Sequence, residues 1–122
     1  MAGTTTGARA DGGRVEEPVA VVAGPDEHGL GEELAALGVE VRRVEGLVTA
    51  AKLEDAGVTD ADLFVLTDLD EATAISVVKD RNPDVRVVVY SHDSLPNFAR
   101  GQTDLAMDPD LFGVDLVAEE LA

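Results

Sequence analysis

The residues best equipped for chemistry in this chain all sit just after apolar runs. Asp26, Glu27 and His28 follow VAVVAG, Glu45 follows VEVRRV, Thr67, Asp68 and Asp70 close LFVLT, and Ser91, His92 and Asp93 follow VRVVVY. Carboxylates gathered in this way suit hard cations held through oxygen. The hydroxyls of Thr67 and Ser91 suit a ligand oxygen or the cap of a following helix. The turn Gly24-Pro25-Asp26-Glu27-His28-Gly29 partly matches the glycine turn that opens a helix on a pyrophosphate. Gly24 and Gly29 fill its first and third glycine places. Asp26 fills the second, where a carboxylate both crowds and repels a phosphate. Glu45, about 20 residues further on, suits the acid that hydrogen-bonds a ribose. The candidate ligand positions are therefore Gly24, Asp26, Gly29, Glu45, Thr67, Asp68 and Ser91, and the cofactor they suggest is NAD(H) or an adenine nucleotide.

Catalytic chemistry has less to stand on. His28 and His92 fall in loops at the same edge, within reach of one another, but a general base needs a partner and a substrate pose. His92-Asp93-Ser94 sets triad residue types side by side, whereas working triads are assembled from separate segments. There is no cysteine, so thiolate nucleophiles, thiolate metal sites and disulfides are excluded. No catalytic residue and no metal ligand is assigned, and a small enzyme using the two histidines and the crevice acids ranks third among the functional readings.

The elements that must position these groups are legible. LFVLT (63–67) is too short for a helix, and VRVVVY (85–90) is rich in β-branched residues. Between them Ala72, Ile75 and Val78 recur at helical spacing, which predicts a helix over 70–81 and a βαβ unit. VAVVAG (19–24) reads as a buried strand and VEVRRV (39–44) as an edge or near-edge strand. Helices are expected at 29–37, 49–56, 94–100 and 114–121, and a short fifth strand at 104–107. Residues 1–17 read as a disordered tail and 18–122 as one domain. Strict alternation of strands and helices predicts an α/β three-layer sandwich with a five-stranded parallel sheet, Rossmann-like in kind and flavodoxin-like in its order 2-1-3-4-5.

The segment AGVTDADLFVLTDLDEATAISVVKDRNPDVRVVVYSHD (56–93) resembles the N-terminal domain of RCK proteins of the TrkA-N type, which regulate potassium transport. Ala56, Gly57, Ala61, Asp62, Thr67, Asp70, Glu71, Asn82, Pro83 and Arg86 carry the resemblance. It implies a non-catalytic regulatory or ligand-sensing domain, commonly a homodimer and associated with a transporter or another protein. It also implies nucleotide binding, weakened or lost here because Asp26 interrupts the glycine turn. The third strand and one helix of the RCK sheet are missing from this chain, which leaves the five-stranded order. The same order belongs to the receiver domains of two-component response regulators. On that alternative, Asp26-Glu27 is the acidic pair, Asp68 the phosphoacceptor and Ser91 the hydroxyl after the fourth strand. Asp108-Pro109 stands where a lysine-proline pair is usual, so the reading is of a pseudo-receiver without its switch lysine.

Composition sets the outer bounds. With 25 acidic against 9 Lys and Arg residues, the formal charge is −16. Phosphate binding needs a basic patch, and Arg42-Arg43 is too short to be one, so nucleic acid is excluded as a partner. No apolar stretch approaches the roughly 20 residues of a membrane span, and the first residues have no signal-peptide character, so a cytoplasmic protein is expected. The acids are spread along the chain, as in proteins of halophilic character whose surface is solvated in concentrated salt. At molar salt the Debye length is about 3 Å, which screens such a surface against itself. The melting temperature should therefore fall as KCl is lowered from molar to low concentration. A melt unchanged across that range would remove the salt-adapted reading.

Overall fold

The computed structural model describes residues 17–122, so the expected disordered tail lies outside the described residues except for Glu17. Five strands, β1 (Val19–Ala23), β2 (Glu40–Val44), β3 (Leu63–Leu66), β4 (Arg86–Tyr90) and β5 (Leu105–Met107), form one sheet in the order β2-β1-β3-β4-β5. Every neighbouring pair is parallel. Five α-helices alternate with them: α1 (Leu30–Ala36), α2 (Ala50–Asp55), α3 (Ala74–Arg81), α4 (Asn97–Arg100) and α5 (Val114–Leu121). The three-layer α/β sandwich and its flavodoxin-like strand order are those read from the sequence.

Both faces of the sheet are covered, which explains why the inner strands are continuous apolar runs. Val21 and Ala23 of β1, Phe64 and Leu66 of β3, and Val87 and Val89 of β4 face one core. There they meet Leu53 of α2, Ile75 and Val78 of α3, and Ala99 of α4. The alternate residues Ala20, Val22, Leu63, Val65, Val88 and Tyr90 face the other core, against Leu30 and Leu34 of α1 and Val117, Ala118 and Leu121 of α5. The polar β2, with Arg42 and Arg43, is an edge strand, as its alternating pattern requires.

One boundary differs from expectation. The helix expected from Asp70 begins as a separate 3-10 turn over Leu69–Glu71, and α3 starts only at Ala74. The cause is local. The Asp68 carboxylate accepts a hydrogen bond from the Asp70 amide at 3.0 Å, which tightens the chain immediately after β3. Glu71 then turns outward and accepts from the Val48 amide at 2.7 Å, pinning the loop before α2.

Asn82 is the buried polar side chain of the described core, and its Nδ2 donates to the carbonyls of Val58 and Ala61, each at 2.9 Å. It joins the end of α3 to the turn that feeds β3. Asn82→Ala would leave both carbonyls buried without that donor, at a cost of about 1–3 kcal/mol. Urea unfolding should report a midpoint lowered accordingly. An unchanged midpoint would mean that water replaces the amide without loss.

Candidate functional site

The carboxyl ends of β1, β3 and β4 open on a cavity of about 300 Å³. Asp26, Glu27 and His28 reach it from the loop after β1, Thr67 and Asp68 from the end of β3, and Ser91, His92 and Asp93 from the end of β4. Tyr90 and Pro109 complete the wall. No lysine or arginine lines it among the described residues.

Asp26 determines the character of this cavity. One carboxylate oxygen accepts from the Leu30 amide and the other from the Gly31 amide, both at 2.8 Å. These are free N–H groups of the first turn of α1, where the helix end attracts an anion. Arg43 of β2 donates to the same carboxylate at 3.0 Å, and the Asp26 side chain is only 10% exposed. Gly31 makes room for this pair, since a Cβ there would lie 2.6 Å from the Arg43 guanidinium. The chain's own carboxylate thus sits where a pyrophosphate would sit in a dinucleotide-binding turn, and the nucleotide-binding expectation is corrected on that ground.

The other glycine of interest, Gly24, serves packing between loops. It adopts φ +98°, and a Cβ there would lie 2.5 Å from Thr67 Oγ1 and 3.0 Å from the Asp68 amide nitrogen. Thr67 uses this closeness to donate its hydroxyl to the carbonyl of Pro25 at 2.5 Å, with Ala23 O a further 3.3 Å contact. Gly29 stands immediately before α1 at φ +72°. Glu45 lies elsewhere: with Gly24, Asp68 and Glu71 it lines a second crevice of about 600 Å³, and its carbonyl accepts from Lys52 Nζ at 2.8 Å. Of the seven candidate positions, Asp26, Thr67, Asp68 and Ser91 meet in the first cavity. Gly24 and Glu45 meet in the second, and Asp68 borders both. Ser91 Oγ accepts from the Asp93 amide at 3.1 Å and so shapes its own loop.

The far wall joins the two histidines, which the sequence places within reach of one another, to two carboxylates that it does not place beside them. His92 Nδ1 lies 3.1 Å from Asp108 Oδ1 and 3.1 Å from Asp110 Oδ2. The His28 and His92 rings stand edge to face with centroids 5.8 Å apart, and His28 also meets Tyr90 at 5.7 Å. Tyr90 is buried and donates its hydroxyl to the Phe112 carbonyl at 2.7 Å. Burial, and then the charges of Asp115 and Asp108, push its pKa above the usual phenol value. Asp110 carries no sequence signal beyond its place after a short strand, and only the parallel register brings its loop beside that of His92.

Strand order and layering define a flavodoxin-like α/β domain, and comparison with solved structures finds the same fold in response regulators. An orphan response regulator of H. pylori (HP1043) superposes with a TM-score of 0.66 at 18% identity, covering 88% of this chain and 94% of that one. A response regulator of Burkholderia pseudomallei, solved with a phosphorylated aspartic acid, calcium ion and citrate, gives 0.64 at 18%, covering 87% and 67%. An atypical orphan response regulator with a phosphorylation-independent regulatory mechanism gives 0.60 at 14%, covering 84% and 91%. At these identities the likeness is one of fold. It overturns the RCK/TrkA-N resemblance, because the folds that match are receiver-like. The chain belongs to a family of unknown function, DUF7126, whose model matches residues 20–121. No curated protein matches it. No helix among the described residues is long and apolar enough to cross a membrane.

Asp26→Ala would strip two amides and Arg43 of their partner together. Charge-assisted caps of this kind contribute about 2 kcal/mol. The unfolding midpoint in urea should fall to match, with Asp26→Asn intermediate. A change under about 0.5 kcal/mol, the level of an ordinary surface substitution, would mean that the carboxylate is not the cap.

Proposed function

We propose that this domain is a receiver-like regulatory module that works through protein contact and not through aspartyl phosphorylation. The observation that carries the reading is the charge of the crevice. It keeps the receiver layout of acids and hydroxyl, yet the loop after β5 offers Asp108-Pro109 where the phosphoryl group would need a lysine. A phosphorylated Asp68 would add a charge of about −1.5 to −2 beside Glu27 and Asp93, with no lining cation to meet it. The acidic pair does not fit a divalent ion either. Both oxygens of its first member, Asp26, are committed to amides of α1, and one is shared with Arg43.

The fold neighbour whose regulation is phosphorylation-independent supports the same direction. So does the surface: Phe98 of α4, Leu111 and Phe112 of the loop after β5, and Leu116 of α5 are exposed apolar side chains on successive elements. We take association with a second copy or another protein to be the output, in a cytoplasmic setting.

Beryllofluoride with Mg²⁺ mimics a phosphoryl group on a receiver aspartate and tests the reading. The wild-type protein should show no rise in melting temperature with this reagent, and Asp68→Asn should melt as the wild type does in its presence. A stabilisation that disappears in Asp68→Asn would establish a working phosphoacceptor and overturn the proposal.

A further inference from the structure

We propose that His92, Asp108 and Asp110 form a binding site for a divalent transition-metal ion at the rim of the crevice. This goes beyond the regulatory reading and does not depend on it. The three ligand atoms, His92 Nδ1, Asp108 Oδ1 and Asp110 Oδ2, all lie within 4.8 Å of one another. The two distances from Nδ1 to the carboxylate oxygens are 3.1 Å each. Metal–ligand bonds of about 2.1 Å, set at right angles, place neighbouring ligand atoms about 3.0 Å apart. The imidazole nitrogen thus stands from each oxygen at the spacing of adjacent ligands on one ion, and the two oxygens lie within 4.8 Å of each other.

Protons alone serve this arrangement poorly. Nδ1 carries at most one hydrogen, yet two carboxylates from one loop converge on it. Asp108 Oδ1 also accepts from the Asp110 amide at 2.8 Å, which holds both carboxylates toward the imidazole, and one cation would bond a lone pair on each of the three atoms. The ligand set also selects the kind of ion. An imidazole suits zinc, nickel, copper and iron, whereas magnesium and calcium take oxygen ligands. A second imidazole is close by, since the His28 ring lies 5.8 Å from that of His92, and His28 comes from the loop after β1. Two imidazoles on one metal have centroids about 5 Å apart, so the two rings stand close to that spacing. The site thus draws on the loops after β1, β4 and β5, and it is separate from the Asp26, Glu27 and Asp68 group that would hold the ion of a receiver.

The test is calorimetric titration of tag-free protein with Zn²⁺, in molar KCl and an excess of Mg²⁺ to suppress loose binding to the acidic surface. A single Zn²⁺ should bind the wild type. His92→Ala and Asp110→Asn should each weaken binding by about tenfold or more, while Asp68→Asn leaves it unchanged. His92 and Asp110 side chains are 50% and 77% exposed, so neither change threatens the core, and circular dichroism of each variant checks this. Absence of Zn²⁺ binding, equal affinity in His92→Ala and Asp110→Asn, or loss of binding in Asp68→Asn would each overturn the proposal.

Discussion

The geometry of the ligand edge rests on the Asp26 carboxylate. A helix beginning at the carboxyl end of a buried strand presents unpaired amides and a positive dipole end. In nucleotide-binding domains of related topology a phosphate from outside answers that demand. Here Asp26 answers it internally, on the Leu30 and Gly31 amides, and recruits Arg43 from the edge strand as its counter-ion. The loop must then fold back over the end of β1. That brings Pro25 against Thr67 and requires Gly24 to have no side chain. Removing the carboxylate from solvent also takes it out of the pool of groups able to hold a magnesium ion or accept a phosphoryl group.

A second constraint fixes what else can gather there. A parallel sheet covered on both faces has no polar surface of its own, so chemistry is confined to the loops at its ends. The edge-ward loops of β1, β3, β4 and β5 supply Glu27, Asp68, Asp93, Asp108 and Asp110, and the described cations sit elsewhere. Lys52 is held by the Glu45 carbonyl, Lys79 pairs with Asp104, and Arg43 with Asp26. Asp104 illustrates the contrast at the opposite end of the sheet. Burial pushes its pKa up, but the Val87 amide and Lys79, with Arg86 nearby, outweigh that and hold the carboxyl below the usual range. Asp26 and Asp104 are matched by amides and a cation each, whereas Asp108 and Asp110 at the crevice rim have His92 for company.

The fold was legible because its signals are local and mutually consistent: apolar β-branched runs, helical spacing between them, and glycines at the joints. The family resemblance failed for an instructive reason. Its most distinctive residues turn out to be scaffold. Gly57 turns the chain in the left-handed region at φ +77°, Asn82 satisfies the Val58 and Ala61 carbonyls, and Asp62 accepts from the Val19 amide at 2.8 Å. Glu71 holds the Val48 amide. Any parallel α/β domain that must join a helix end to the next strand can use these devices, so their agreement reports topology and not ligand. The convergence of His92 with Asp110 could not be read from the chain. It depends on β4 and β5 being neighbours and on the depth to which each loop continues past the sheet.

Asp108 and Asp110 bring the loop after β5 to the crevice rim as an acidic element beside His92. With two histidines and the acids of the loops around it, the crevice favours a cation over an anion. An anion placed there would meet carboxylates from four loops, and the cap at the start of α1 that favours anions is already filled by Asp26. A cation would meet those carboxylates together with imidazole nitrogen, a donor that discriminates among cations. The groups that set this preference come from the loops after β1, β3, β4 and β5, and Asp108 and Asp110 among them lie outside the segment on which the family resemblance rested.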